Sequence, residues 1–99
     1  AQDVGIMVDQ LQAAGATDIV VWNTPNLGLA PAVAGLGSAA SFLGQAVAGA
    51  MNEALARRLA EESGVRIFDL YGLVGAVAAD PAAFGLVNAS DACGAVLGC

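Results

Sequence analysis

Two short runs of β-branched and aromatic residues constrain the fold of this chain more than any other feature. Residues 19–22 read Ile-Val-Val-Trp and residues 65–68 read Val-Arg-Ile-Phe. The first run is continuous rather than alternating, which is typical of a parallel strand covered on both faces. A long helical pattern separates the runs, so the sequence predicts a right-handed strand–helix–strand crossover and a parallel α/β sheet.

Three helices are expected around these strands. Residues 3–14 place apolar side chains at helical spacing and stop at Gly15. A second helix is predicted from a cap at Ser38 or Ser41 to about residue 63, with Gly64 as its stop. The apolar sides of these two helices are predicted to be formed by Val4, Met7, Val8 and Leu11 in the first and by Leu43, Val47, Ala50, Met51, Ala54, Leu55 and Leu59 in the second.

Polar residues near the ends of these elements have simple structural interpretations. Asp69 is predicted to cap a third, short helix that ends before Asp80-Pro81. Glu53 and Arg57 form an i,i+4 pair on the outer face of the long helix. The pair Glu61-Glu62 is interpreted as a solvated patch.

The composition indicates a part of something larger. The 99 residues are 58% hydrophobic and 12% charged, with a mean hydropathy of +0.71, whereas a self-sufficient small domain usually carries more charge. Two parallel strands rarely form a sheet alone, so both are expected to need neighbours from outside these residues. The start at Ala1, with neither Met nor a signal segment, leads us to expect a mature form or an excised piece.

Charge and residue types exclude several functions. With a net charge of −6 and a pI near 4.1, the chain lacks the positive charge that binding to nucleic acid or to an anionic membrane surface requires. The chain has no His, so it contains no Ser-His or Cys-His pair and no catalytic residue is assigned within it. No metal site and no cofactor are expected. The uncharged stretch between Asp18 and Glu53 is interrupted by Pro and Gly, which favours a loop and a buried helix over a transmembrane span.

A glycine pattern raises one alternative function. Residues 35–40, Gly-Leu-Gly-Ser-Ala-Ala, match the fingerprint of dinucleotide-binding folds, with Glu53 downstream, so a nucleotide-binding half-domain is one alternative. The first strand, however, ends about a dozen residues before Gly35, and Glu53 lies inside a helix. A flexible loop entering a helix is therefore favoured. A non-catalytic packing or interaction module is a further alternative.

Cys93 and Cys99 are the two cysteines of the chain. They lack the further Cys or His that a zinc site needs, so a disulfide between them is predicted if the protein is exported.

Two separated segments carry a family resemblance. The first is GATDIVVWNTPNLGLAP at residues 15–31, and the second is VRIFDLY at residues 65–71, followed by DPAAFGLVN at 80–88 and DAC at 91–93. Both are similar, in this order, to secreted SGNH (GDSL-type) esterases of the phospholipase/lecithinase/hemolysin group, in which a strand leads into an Asn-x-Pro-Asp-Leu-Gly-x-x-Pro loop. Asn26 departs from the pattern, since the family commonly has Asp there.

The resemblance implies a three-layer α/β/α, flavodoxin-like fold, of which residues 1–99 are a partial domain from the middle. The family's Gly-Asp-Ser and Asp-x-x-His motifs do not occur here, so the partners expected are the segments that carry them, together with a small ester or lipid substrate. None of the serines is therefore assigned as a nucleophile: Ser38, Ser41, Ser63 and Ser90. A secreted, periplasmic or bacterial cell-surface location is implied.

The loop after the first strand is the candidate site. Ligands of open α/β sheets bind beyond the carboxyl ends of the strands. The residues predicted to line the acyl or alcohol pocket are Asn23, Thr24, Pro25, Asn26 and Leu27.

Overall fold

The computed structural model describes residues 1–92. The predicted order of elements is confirmed, with extra short helices in the segments expected to be loops. The elements are α1 (Gln2–Ala13), β1 (Ile19–Trp22), a 3₁₀ turn (Leu27–Leu29), α2 (Pro31–Ala34), α3 (Ser38–Leu59), β2 (Val65–Phe68), α4 (Leu70–Ala79) and a second 3₁₀ turn (Pro81–Phe84). Among residues 1–92, none of the helices combines the length and the apolar character that crossing a bilayer requires.

The two strands pair in parallel, as predicted. Ile19 lies opposite Val65 and Trp22 lies opposite Phe68. Backbone hydrogen bonds extend the pairing at both ends, because Ile19 N–H donates to Gly64 O at 2.8 Å and Asn23 N–H donates to Phe68 O at 3.1 Å. The described part of the chain is thus a mixed α/β structure with a two-stranded parallel sheet.

The core lies between one face of this sheet and two helices. Val8 of α1, Ile19 of β1, and Leu55 and Leu59 of α3 form a buried cluster. Side chains alternate between the two faces of a strand, so Val21 follows Ile19 onto this covered face and packs against the cluster. Val4, Ala16 and Val65 complete its margin.

The other face of the sheet is open within the described residues. Val20 is 52% exposed, Trp22 66% and Phe68 41%. The Trp22 and Phe68 rings lie against each other, with centroids 5.6 Å apart. The expectation that β1 is covered on both faces is therefore met on one face only. The Cα radius of gyration is 16.3 Å, against about 13 Å for a compact domain of this length.

Helix α3 is buried over less of its length than predicted. Leu55 and Leu59 are buried, but Leu43, Val47 and Met51 are exposed. The buried pair lies where α1 packs, and α1 itself leaves Met7 and Leu11 half exposed. Both helices therefore present apolar side chains to solvent, which a helical pattern alone does not reveal.

The predicted boundaries of α3 are wrong at both ends, whereas the predicted stop of α1 is confirmed. Gly15 follows the C-cap of α1 with a positive φ of +105°, as expected for a glycine stop. Gly64 also has a positive φ, of +72°, but it lies five positions beyond the end of α3 and does not stop that helix. The serine cap predicted for α3 is wrong, because its N-cap is Gly37, with no side-chain cap hydrogen bond. The helix also ends at Leu59 rather than near residue 63.

Arg58 ties α1 to the end of α3. Its guanidinium donates to Glu62 and to Asp9, at 2.8 Å in each case. Hydrogen bonds to these carboxylates, Glu62 first, raise the pKa of Arg58. The Glu62 side chain is only 17% exposed, so the interpretation of Glu61-Glu62 as a solvated patch is wrong for Glu62. The Glu53–Arg57 pair forms as predicted, at 3.1 Å on the exposed face.

Candidate functional site at the carboxyl edge of the sheet

The parallel strands deliver two polar side chains to one edge of the sheet. Asn23 follows β1 and Asp69 follows β2, and Asn23 Nδ2 donates to Asp69 Oδ1 at 3.0 Å. Asn23 Oδ1 accepts a hydrogen bond from the backbone N–H of Tyr71 at 2.8 Å. The same Asp69 oxygen accepts from Gly72 N–H at 3.0 Å, so the predicted cap of α4 is confirmed. Asn23 thus joins the end of β1 to the first turn of α4.

These hydrogen bonds also set the ionisation of Asp69. The Asn23 amide, and then the Gly72 N–H, lower the pKa of the Asp69 carboxyl, because both stabilise its charged form. A carboxylate with a lowered pKa is a poor general base near neutral pH. Its hydrogen bonds indicate that Asp69 stabilises this edge of the sheet by linking Asn23 to the first turn of α4.

Asn52, in the middle of α3, holds the next residue of the loop. Its Oδ1 accepts from the backbone N–H of Thr24 at 2.7 Å, and its Nδ2 donates to the backbone oxygen of Thr24 at 2.7 Å. Both bonds are partly buried. One side-chain amide therefore satisfies the donor and the acceptor of one residue of the loop.

The loop then turns back onto the start of α3. Asn26 Oδ1 accepts from Gly28 N–H at 2.9 Å and caps the Leu27–Leu29 turn. Ser41 Oγ donates to Gly28 O at 2.8 Å. Gly28 is buried, and a Cβ at this position would collide with the backbone oxygen of Ser41. Glycine is required here for the turn to approach the helix so closely.

The predicted pocket-lining residues therefore form a fixed loop rather than a free one. The Asn23 amide is hydrogen-bonded to Asp69 and Tyr71, Asn26 Oδ1 accepts from Gly28 N–H, and Thr24 is held through its backbone. Pro25 is half buried and Leu27 is 37% exposed. Their role in lining a substrate pocket stays a prediction.

A cavity of about 380 Å³ opens beside this loop, within the size range of small-molecule sites. It is uncharged, and residues 23–27 do not form its wall. Its lining comes from Gly28, Leu29, Ala34, Ser41, Ala78, Pro81, Val87, Asn88, Ala89 and Ser90.

The other candidate residues have local roles. Ser41 binds Gly28, and Ser90 binds Asn88 within one short turn. Within residues 1–92, no group of three or more Asp, Glu, His or Cys side chains is placed to hold a metal ion. The disulfide predicted between Cys93 and Cys99 lies outside the described residues.

The glycine pattern at 35–40 does not follow a strand directly. Gly35 ends α2, and Gly37, with a φ of +109°, precedes α3. The Leu27–Leu29 turn and α2 separate β1 from Gly35, whereas the fingerprint requires a strand that turns at once into a helix. Glu53 is paired with Arg57 on the exposed side of α3.

The sequence does not predict two side chains that bind the loop. Ser41 and Asn52 both lie inside α3 and bind backbone groups far away in sequence. A weak signal exists for Asn52, because Asn is unfavourable inside a helix unless its side chain finds a partner. Nothing in the sequence identifies Thr24 as that partner.

Comparison with protein-family models, with curated proteins and with solved structures found no match to this chain.

Proposed function

We propose that these residues form the middle of a secreted carboxylic-ester hydrolase of SGNH type, with a three-layer α/β/α fold. Its Ser nucleophile and its Asp/His pair belong to segments outside this chain. Residues 1–99 supply two parallel core strands, the helices on one face, and the loop from Asn23 to Leu29. The proposal starts from the sequence resemblance and from the arrangement at the carboxyl edge of the sheet.

The anchored loop is the observation that carries the proposal. It leaves the carboxyl end of β1, where open α/β sheets bind ligands. Asn23, Asn26 and the Asn52 clamp on Thr24 fix its backbone. A site wall that is already ordered suits a reaction whose groups must be held in position.

The open sheet face supports the three-layer arrangement. Val20, Trp22 and Phe68 present apolar surface that a parallel sheet normally buries under a second layer of helices. We expect that layer to come from the segments that carry the Ser and the Asp/His blocks.

The chemistry expected of the assembled enzyme is acyl transfer. The Ser oxygen attacks the ester carbonyl while His takes the Ser proton, and amide donors stabilise the oxyanion. Collapse of this intermediate breaks the ester bond, and the leaving alcohol takes the proton from His. Water then attacks the acyl-enzyme in the same way and releases the acid. This chain contributes the loop and its scaffold.

Reconstitution tests the proposal. Residues 1–99 are co-expressed with segments that carry the Ser and the Asp/His blocks, and hydrolysis of 4-nitrophenyl acetate is measured. We expect hydrolysis from the assembly, none from residues 1–99 alone, and none when the Ser of the partner segment is replaced by Ala. Robust hydrolysis by residues 1–99 alone contradicts the proposal, as does an inactive assembly whose segments co-purify.

The open face also favours a second candidate, a non-catalytic interaction module. In that case a partner covers Val20, Trp22 and Phe68 without any chemistry. The inactive but co-purifying assembly is the outcome that supports this alternative.

A further inference from the structure

We propose that Asn52 is the positioning residue of the loop at the carboxyl edge, and that it sets substrate selectivity without touching the substrate. The inference rests on the proposed function for its catalytic part. The clamp itself rests on the geometry of α3 and Thr24 alone.

The clamp works because a side-chain amide copies a peptide group. Asn52 presents one acceptor and one donor, and Thr24 presents the matching N–H and oxygen, with both distances at 2.7 Å. The pairing resembles one rung of a sheet ladder, made between a helix and a loop. Leu has a similar shape but no polar atoms, so it leaves both groups of Thr24 unpaired.

The position of the clamp gives it control of the loop. Asn23 forms hydrogen bonds with Phe68 of β2 and Tyr71 of α4, and the backbone oxygen of Gly28 accepts a hydrogen bond from Ser41 near the start of α3. Between these two anchors, the described side-chain hydrogen bonds are the turn bond of Asn26 to Gly28 and the Asn52 clamp. Of these hydrogen bonds, only the clamp joins the loop to another element, while Leu27 packs against Gly44 of α3 without one.

The substitution Asn52→Asp distinguishes the hydrogen-bonding role of Asn52 from a general packing role, because only the hydrogen bonds depend on the protonation of the new side chain. An ionised Asp keeps an acceptor for Thr24 N–H but turns a second acceptor towards the Thr24 oxygen. A protonated Asp again has one donor and one acceptor in the shape of Asn. Asn52→Asp should therefore lose the clamp at neutral pH and regain it below about pH 4.

Backbone hydrogen exchange in residues 1–99 measures the clamp directly. We expect Thr24 N–H to be protected in the unsubstituted chain and to exchange about tenfold faster in Asn52→Leu and, at pH 7, in Asn52→Asp. The protection factor of Asn52→Asp should recover as the pH is lowered below about pH 4. Asn23 N–H is the internal reference, since its bond to Phe68 O does not involve Asn52. Gln45→Leu, the same kind of change at an exposed position of α3, is the matched control.

Kinetics of the reconstituted enzyme test the positioning role. Asn52→Leu should raise KM and change the preference between 4-nitrophenyl acetate and butyrate severalfold, with kcat for acetate largely retained.

Three results of the exchange experiment would overturn the clamp. They are an equal loss of protection at Asn23 and Thr24, an unprotected Thr24 N–H in the unsubstituted chain, and no recovery of protection in Asn52→Asp at low pH. A verified clamp with unchanged KM and selectivity overturns the positioning role. An inactive assembly with a verified clamp counts against the proposed function and its catalytic part alone.

Discussion

The two faces of the sheet are built from the same two strands but have opposite surroundings. On one face Ile19 is 8% exposed and packs with Val8, Leu55 and Leu59. On the other, Trp22 is 66% exposed and its ring lies against that of Phe68. Apart from Arg66 on the open face, the strand residues are apolar on both sides, so the difference lies mainly in what covers them. The local sequence thus indicates which side chains favour burial, and the packing of other elements determines whether they are buried.

The largest expected effect separates neighbouring residues of β1. Ile19→Ala should lower the free energy of unfolding by roughly 3 kcal/mol, because it leaves a cavity in the core. Val20→Ala, on the open face, should cost less than about 1 kcal/mol. Urea denaturation of the two variants measures the difference. Equal losses would show that Val20 is covered in solution and would remove the contrast between the faces.

A second prediction concerns the open face in the assembly that the proposed function requires. Trp22→Ser should leave residues 1–99 nearly unchanged in stability, but should weaken the assembly by about 2 kcal/mol, the value of burying a large side chain. Co-purification with the Ser- and His-bearing segments, followed by urea dissociation, measures this. Leu36→Ser, an exposed position away from the sheet, is the control. An assembly that tolerates Trp22→Ser as well as Leu36→Ser does not use this face.

An effect of pH on stability is expected at the carboxyl edge of the sheet, where Asp69 follows β2. The folded pKa of Asp69 is lowered by Asn23 and Gly72, so its contribution to stability is present above the unfolded pKa, about 3.9. That contribution is lost as the pH falls through the folded pKa. Asn23→Ala should move the pKa of Asp69 back towards its ordinary value, as followed by carboxyl-carbon NMR. An unmoved titration would show that Asn23 is not the main cause.

The smallest effect belongs to the ion pair at the strand edge. Arg66 and Asp18 are 2.9 Å apart, but their side chains are 71% and 72% exposed. Arg66→Ala should change the free energy of unfolding by at most about 0.5 kcal/mol, and added salt should reduce even that. A larger, salt-insensitive loss would mean that this end of the sheet is shielded from solvent.

Strand identity and the Asp69 cap were predictable because each depends on residues close in sequence, and the parallel pairing was predictable because a long helix joins the two strands. The β-branched runs and the Gly15 stop of α1 act locally. The short helix at Pro31–Ala34 was missed inside a segment rich in turn-forming residues. The extent of burial along α3 was also missed, because it depends on where α1 packs.

The position of the loop after β1 was predictable, but the contacts that fix it were not, and its role in a site stays a prediction. The loop after β1 was identified because it follows the carboxyl end of a parallel strand. The contacts that fix it join Asn23 to Asp69 and Thr24 to Asn52 across 46 and 28 positions of sequence. Such pairings follow from tertiary packing, and a pattern read along one chain does not specify them.

Trp22 gives the open face a built-in optical readout. It is the one tryptophan of the chain, and it lies 66% exposed on the surface that the proposal buries. Its fluorescence should therefore peak at long wavelength in residues 1–99 and shift to the blue when the missing layer docks. Docking of the proposed partner segments can thus be followed in real time without any label.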